Sequence, residues 1–92
     1  MVKIDGNYIW RDGMKIGFVD DHHIRAHDDH RLGYFENNFI YGERGHKLAY
    51  LEGDSLISYE SGKKIPLEKI SESIQGVLPE IGKCAVYVLL GA

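Results

Sequence analysis

The chain has 92 residues, with 11 Lys and Arg, 14 Asp and Glu and a formal net charge of −3. This length allows one small core, and the charge argues against a general binder of nucleic-acid backbones, which needs a surplus of Lys and Arg. Apolar residues make up 43% and charged residues 27% of the chain, which excludes a disordered or fibrous protein.

The N-terminal segment, residues 1–6, has no apolar stretch of the kind found in secretory signals. The apolar run at residues 85–90 is far shorter than the roughly 20 residues that a membrane-spanning helix needs. The single cysteine, Cys84, adjoins that run, and a lone cysteine excludes an internal disulfide. We therefore expect a cytoplasmic protein that does not bind a membrane.

A quartet of basic, aliphatic, small and usually aromatic residues recurs along the chain. Its copies stand at residues 15–18, 31–34, 47–50 and, in altered form, 64–67. An upstream series of aliphatic residues keeps step with it at intervals of 15 to 17 residues: Ile9, Ile24, Ile40 and Ile57. A unit this short cannot bury its own apolar face, so several units must pack against one another.

Each repeat is predicted to form a β-hairpin. The segments before the quartets are rich in β-branched and aromatic residues, as strands are. Gly13, Gly45 and Gly62 stand in the connections, where a tight turn demands a positive φ, and Asp28 and Asp29 stand in the remaining connection. The four predicted hairpins span residues 7–20, 22–36, 38–52 and 55–67.

On the second strand of each hairpin, the two-residue period places the aliphatic and aromatic members on one face and Gly17, Gly33 and Ala49 on the other. Glycine within a strand marks a bend or a close approach of another backbone, so equivalent strands are expected to converge about a common axis. The predicted fold is mainly β, with eight short strands in a shallow closed antiparallel barrel. A propeller of four two-stranded blades is the second alternative and a twisted open sheet the third.

The fourth unit departs from the pattern, because Pro66 stands where the small residue is expected. Apolar residues at 67, 70 and 74 predict a short amphipathic helix over residues 67–75. The run at residues 83–90 is apolar on both alternating faces, which predicts a C-terminal strand buried on both sides. A strand of this kind that found no cover within the chain would pair with a second copy in a homodimer.

These hairpin units resemble the four-fold β-flower domain, a bacterial family in which short hairpins are arranged like petals around a pseudo-four-fold axis. The resemblance covers about residues 5–70 and rests on the three regular quartets and on the turn residues Gly13 and Gly45. It implies a flower-like shallow barrel and no particular activity. All elements are expected to belong to one domain, residues 1–92.

The chain contains more aromatic residues than so small a core can hold, so some of them must be exposed. Trp, Tyr and Arg dominate the hot spots of protein interfaces. Trp10, Arg25 and Tyr41 share one position in the repeat, and we predict that they form a contact patch for another protein. The alternative is that these side chains pack between the hairpins.

Segment 20–30 carries four of the five histidines of the chain together with four aspartates. Imidazole and carboxylate are ligands of zinc, so the alternative hypothesis is a zinc-binding protein. Its candidate ligands are His22, His23, His27, His30 and His46. The favoured interpretation is a solvated turn, with His22 and His23 on opposite faces of a strand, and with His30 and His46 at equivalent places near one rim.

No serine stands in the context of a nucleophile elbow, and no Gly-rich loop joins a strand to a helix around a phosphate. We therefore predict no enzymatic activity, no catalytic residues and no cofactor. The leading hypothesis is a small cytoplasmic protein-binding module of bacterial or phage origin. An inhibitor of a host nuclease or defence protein is its narrower version, and direct binding of nucleic acid is not expected.

Overall fold

The computed structural model describes residues 1–91, so the end of the predicted domain at residue 92 lies outside the described residues. The ten strands form one sheet of order β10-β1-β2-β3-β4-β5-β6-β7-β8-β9, which is antiparallel except for the pair β1 and β10. The predicted mainly β fold is confirmed. In chain order the elements are β1 (Val2–Asp5), β2 (Tyr8–Arg11), β3 (Met14–Asp20), β4 (His23–Ala26), β5 (Arg31–Glu36), β6 (Phe39–Gly42), β7 (Lys47–Glu52), β8 (Ser55–Ser58), β9 (Lys64–Pro66), α1 (Leu67–Ser73), β10 (Ile74–Gln75) and α2 (Glu80–Leu90).

The sheet is not closed, because β10 and β9 lie at its two ends and do not pair with each other. The predicted closed barrel is therefore not confirmed, and the four-fold arrangement of hairpins stays a prediction. The sheet is nevertheless curved. Ten strands about 4.8 Å apart would span roughly 43 Å if they lay flat, whereas the largest extent of the Cα atoms is 31 Å.

Three of the hairpins share a bulge. The register of β2 and β3 shifts between Ile9 and Trp10, which leaves Ile16 of β3 without a partner. The same shift leaves Leu32 unpaired in β5 and Leu48 unpaired in β7. The extra residue of each bulge is thus the aliphatic member of the quartet, and each bulge increases the local bend of the sheet.

The bulge also changes which residues face the core. Ile16 packs against the buried core and Gly17 is itself buried, so these neighbours face the same side. The predicted alternation, with Ile16 and Phe18 on one face and Gly17 on the other, is therefore wrong. The reason is that one extra residue interrupts the strict two-residue period.

The small residues of the quartets lie beneath α2, which crosses β4, β5, β6 and β7. A Cβ atom at Gly33 would overlap the carbonyl oxygen of Tyr41 and lie 2.9 Å from Cδ1 of Leu89. A Cβ atom at Gly17 would overlap the carbonyl oxygen of Arg25. The glycines therefore permit two close approaches, one by the neighbouring strand and one by the helix. We call this covered side of the sheet the inner face.

The inner face supplies most of the core. It includes one fully buried aliphatic residue at an equivalent position in each of four strands: Ile9, Ile24, Ile40 and Leu56. The fourth member of the series is therefore Leu56 and not the predicted Ile57. Leu56 pairs with Ile65 as Ile40 pairs with Ala49, so Ile65, and not Pro66, takes the place of the small residue. Both predicted positions are one residue too far along the chain. On β9 the reason is that the quartet of the other hairpins includes the extra residue of a bulge, which the fourth hairpin lacks.

The predicted C-terminal strand at residues 83–90 is wrong, because this run lies within α2. The helix follows Pro79 and ends at Gly91, whose φ of 67° is typical of a helix C-terminus. It is apolar on most sides because the inner face covers one side and α1 packs against it as well. The run thus has its cover within the chain and gives no reason to expect a homodimer.

The short helix predicted over residues 67–75 is confirmed as α1, and it ends at Ser73. The next two residues form β10, which pairs with β1 through Val2 and Ile74. Arg11 of β2 donates a hydrogen bond of 2.9 Å to the carbonyl oxygen of Leu90. A cation at this place stabilises the negative end of the α2 dipole and fixes the helix to the sheet.

Replacement of Gly33 by Ala tests the close approach of α2. We expect Gly33→Ala to lower the free energy of unfolding by about 1–3 kcal/mol, because the added methyl group must displace a backbone carbonyl and Leu89. Urea denaturation measures this change. Gly42→Ala is the matched control, since Gly42 pairs with Gly33 across the strands and its Cβ would have no neighbour closer than 3.5 Å. Equal losses in the two variants would contradict the interpretation.

Candidate functional site

The side of the sheet opposite α2 lies away from both helices, since α2 crosses β4 to β7 on the inner face and α1 packs mainly against α2, β9 and β10. We call this side the outer face. It presents the strand residues that alternate with the core residues, with the bulges taken into account. They are Lys3, Asp5, Tyr8, Trp10, Lys15, Phe18, Asp20, His23, Arg25, Arg31, Tyr34, Glu36, Phe39, Tyr41, Lys47, Tyr50, Glu52, Ser55, Ile57, Lys64 and Pro66.

Cross-strand pairing arranges many of these side chains in three rows, each of which begins with an acidic residue, continues with two or three rings and ends with a basic residue. Each row crosses five strands, and directly opposed side chains in a sheet are in contact distance. Row A is Asp5, Tyr8, Phe18, Arg25 and Arg31. Row B is Asp20, His23, Tyr34, Tyr41 and Lys47. Row C is Glu36, Phe39, Tyr50, Ile57 and Lys64.

The rings of rows B and C form a continuous chain. Tyr34 and Tyr41 stack with their centroids 4.7 Å apart and their planes 11° from parallel. Phe39 lies 6.3 Å from Tyr41 and 6.4 Å from Tyr50, and so joins the two rows. Aromatic pairs at these distances contribute about 0.5–1.5 kcal/mol each beyond the burial of their surface. In order of contact the chain of rings is His22, His23, Tyr34, Tyr41, Phe39, Tyr50 and Tyr59.

Two lysines lie over rings of the outer face. Nζ of Lys47 is 4.2 Å from the centroid of Phe39, and Nζ of Lys15 is 4.8 Å from the centroid of Tyr8. Such contacts at exposed sites stabilise a fold by roughly 0.5–1 kcal/mol each. They also hold the lysine side chains along the face, so that the charges keep defined positions beside the rings.

The patch predicted from the sequence consists of Trp10, Arg25 and Tyr41, and each of these residues has separate surroundings. Arg25 lies in row A and Tyr41 in row B, whereas Trp10 pairs with Lys3 and Lys15 outside the rows. Trp10 lines a cavity of about 460 Å³ next to row A. The guanidinium of Arg25 donates a hydrogen bond of 3.2 Å to Asp20 and another of 3.2 Å to the carbonyl oxygen of Asp29. Tyr41 belongs to the chain of rings, and the patch itself stays a prediction.

Sequence analysis missed the other members of the chain of rings, Tyr34, Phe39 and Tyr50. Tyr34 and Tyr50 end two of the regular quartets, and Phe39 lies in the segment before the third quartet. What joins them is the cross-strand register. The 16-residue interval carries part of that signal, because it repeats the same pairing in every hairpin, but the bulge shifts the pairing by one residue.

The five candidate metal ligands do not form one cluster. His22 lies in the turn before β4, and its ring is 4.7 Å from that of His23, so the expectation that these rings lie on opposite strand faces is wrong. Nε2 of His30 is 3.4 Å from a carboxylate oxygen of Glu43, whereas His27 and His46 are exposed. Among residues 1–91, no group of three His, Cys, Asp or Glu side chains is placed to hold a metal ion.

His23 is the one histidine within a row. Its Nδ1 atom is buried and has no hydrogen-bond partner among the described residues. Burial lowers the pKa of His23 from its ordinary value of 6.5; the nearby charges of Arg31, His22 and Arg25 lower it further, while Asp20 opposes them. The neutral imidazole is therefore the form that the row favours.

No family model, curated protein or solved structure matches this chain. The resemblance to the four-fold β-flower domain stays a prediction. Neither helix within residues 1–91 has the length and apolar character to cross a membrane. The outer face is therefore the feature from which a function can be inferred.

Acidification tests the environment of His23. Because the pKa of His23 is lowered in the folded state, the unfolded chain binds more protons around and below pH 6.5, and the free energy of unfolding falls as the pH falls through this range. Urea denaturation between about pH 7 and about pH 5 measures the slope. His23→Phe should reduce the slope, and His46→Gln, in an exposed turn, is the control. An unchanged slope in His23→Phe would contradict the assignment.

Calorimetric titration with zinc tests the metal hypothesis. We expect no binding tighter than micromolar, because the described histidines are divided between one ring pair, two separate carboxylate contacts and exposed turns. The protein must carry no histidine tag. A stoichiometric nanomolar site that is lost in a His22→Gln, His30→Gln double variant would show that these residues bind the metal.

Proposed function

We propose that the outer face is a docking surface for another protein and that the chain is a non-enzymatic binding module. The observation that carries this proposal is the continuous chain of rings on a sheet face that neither helix covers. Rigid aromatic side chains give a large contact area at a low cost in conformational entropy. Tyr, Trp and Arg, all present on this face, are the residues that dominate binding hot spots.

The side chains of the outer face are held in place before any partner binds. Tyr41 is stacked on Tyr34, and Lys47 lies over Phe39. Arg25 is fixed by hydrogen bonds, and its side chain is 21% exposed. Because these groups are already ordered, less entropy is lost when they become buried in an interface. The outer face is therefore better suited to binding than a face of mobile, solvated side chains would be.

The environment of the single thiol, on Cys84, does not suit a nucleophile. Cys84 is fully buried in α2, and burial raises its pKa to about 12. The thiol therefore stays protonated near neutral pH, whereas a nucleophilic cysteine needs a thiolate. The core role of Cys84 fits a binding module better than a cysteine-dependent enzyme.

The narrower proposal is an inhibitor that covers a basic surface, such as the substrate site of a nuclease. The acidic ends of the rows support it, since Asp5, Asp20 and Glu36 stand at one edge of successive rows. Carboxylates spaced along a rigid face complement a surface that binds phosphates and accelerate association with it. A bacterial or phage origin and a cytoplasmic location belong to this proposal.

Site-specific photo-crosslinking in the source cell tests the docking proposal. A photoreactive phenylalanine analogue in place of Tyr41 should give a defined protein adduct. The same analogue in place of Val77, which is 94% exposed and lies outside the outer face, should not. Equal adducts at the two positions, or none at Tyr41, would count against the docking surface.

Binding of the purified partner should then weaken about tenfold or more in Tyr41→Ala, in line with loss of a hot-spot ring. The variant should stay folded, because loss of the two ring pairs of Tyr41, with Tyr34 and Phe39, costs about 0.5–1.5 kcal/mol each. Thermal unfolding followed by circular dichroism measures stability separately from binding. Unchanged affinity in a folded Tyr41→Ala protein would contradict a role for the chain of rings.

A further inference from the structure

We infer that the cavity next to row A receives an arginine side chain of the protein that docks on the outer face. The inference rests on the proposed function, because it names an anchor residue of the same partner. The cavity has a volume of about 460 Å³, within the range of about 300–1,000 Å³ that is typical of ligand sites. It is lined by Met1, Lys3, Asp5, Trp10, Asp12 and Gly13. All of these residues except Trp10 are exposed, so the cavity is open to a partner.

The indole ring of Trp10 is the part of the cavity that suits a planar cation. Trp10 pairs with Lys3 of β1 and with Lys15 of β3, but neither ammonium lies over its ring. The lysines in cation–π contact among the described residues lie instead over Tyr8 and Phe39. Trp10 also lies outside the chain of rings. Because an indole attracts a cation more strongly than the rings of Tyr or Phe do, the ring best suited to a cation is left available.

Asp5 supplies the negative charge that a cation over Trp10 requires. It faces the same side of β1 as Lys3, the residue opposite Trp10, and two residues along a strand correspond to roughly 7 Å. Asp5 is exposed and forms no ion pair within the part of the chain that the structure describes. Asp12, the second carboxylate of the cavity, lies 3.7 Å from the amino group of Met1, and its side chain is 83% exposed. Asp5 is therefore the acceptor that a partner can bind.

Arginine fits a ring face and a neighbouring carboxylate better than lysine does. The guanidinium is planar, so it stacks on an aromatic ring, and its fork of N–H donors binds both oxygens of a carboxylate at once. The ammonium of lysine is a compact and strongly hydrated charge, with no plane to stack and no fork. Arginine is also one of the residues that dominate binding hot spots. A single arginine can thus use the ring and the carboxylate together.

The charges around the outer face favour a partner that presents basic residues. The face carries six basic and four acidic residues, and the connections between strands β1 to β9 add seven acidic residues and two basic ones. Acidic residues therefore exceed basic ones by three over this side and its rim, and such an excess accelerates the approach of a basic surface. Lys3 opposes an arginine in the cavity, but it is exposed, and its flexible stem lets the ammonium stay in the solvent.

Titration with acetyl-arginine amide, followed by NMR, tests the cavity. Trp10 is the only tryptophan of the chain, so its indole N–H gives one signal that reports on this site. We expect a saturable shift with a dissociation constant in the millimolar range, because a single side chain contributes only part of an interface. Acetyl-citrulline amide, which has nearly the same shape and no charge, should cause no saturable shift.

Variants of the full chain separate the cavity from general electrostatic attraction. Asp5→Asn should weaken binding of acetyl-arginine amide about fivefold or more, because it removes a charge-assisted acceptor. Lys3→Gln should strengthen binding, since it removes the opposing cation. Asp54→Asn is the matched control: it makes the same charge change at an exposed aspartate between β7 and β8, and it should bind like the parent chain.

An indole signal that does not respond to acetyl-arginine amide would overturn the inference, as would equal affinities of Asp5→Asn and the parent chain. A saturable shift with acetyl-glutamate amide that Lys3→Gln abolishes would overturn it in favour of an acidic partner. Micromolar binding of agmatine, a free guanidinium compound, would overturn it in favour of a small-molecule ligand.

The crosslinking experiment at Tyr41 distinguishes this inference from the proposed function. If a protein is crosslinked at Tyr41 and the cavity does not bind acetyl-arginine amide, only the inference fails. If no crosslink forms at Tyr41, the proposed docking function fails, and the inference about its partner fails with it.

Discussion

The close approach of α2 to the bulged strands is the constraint on which the rest of the structure depends. At Gly33 the neighbouring carbonyl of Tyr41 and the side chain of Leu89 leave no space for a Cβ atom. Each bulge turns its extra aliphatic residue toward the core, and the inner face becomes both bent and mainly apolar. A helix with almost no polar side can then be buried without an unpaired charge.

This constraint also explains the composition of the outer face. The inner face takes aliphatic and small side chains because α2 lies so near the strands, and Phe35 is the only ring of β1 to β9 in the core packing. The remaining rings of the strands are left on the outer face together with the charges. Both six-residue strands, β5 and β7, begin with a basic residue and end with an acidic one, as in Lys47 and Glu52 of β7. The polarity of the rows is a consequence of this pattern and of the register.

The two ends of the open sheet are poorly suited to pairing with other chains. β9 is three residues long and contains Pro66, which has no N–H to donate, and β10 is only two residues long. Short edges with Pro and Lys are a common protection against edge-to-edge aggregation. Docking by added strands is therefore disfavoured, and the outer face is the larger surface on which a partner can be held.

The sequence by itself determined strands β2 to β9, the turns between them and α1, because these depend on local conformation, but it did not predict β1 and β10. The turn residues Gly13, Gly45 and Gly62 all have positive φ, and Asp29 takes the same role with a φ of 75°. The helical spacing of the apolar residues at positions 67, 70 and 74 was sufficient to predict α1. The sequence did not determine α2, because an apolar run of this length satisfies a buried strand and a buried helix equally well.

Only the tertiary structure decided that α2 is a helix, since the choice depends on the cover that the sheet and α1 provide. The bulges and the open ends of the sheet were decided at the same level, because a shift of one residue depends on the neighbouring strand. Trp10, Arg25 and Tyr41 could be placed at one repeat position from the interval alone. Their neighbours could not, because side chains from different hairpins meet only through the cross-strand register, and a change of one residue in that register moves every contact.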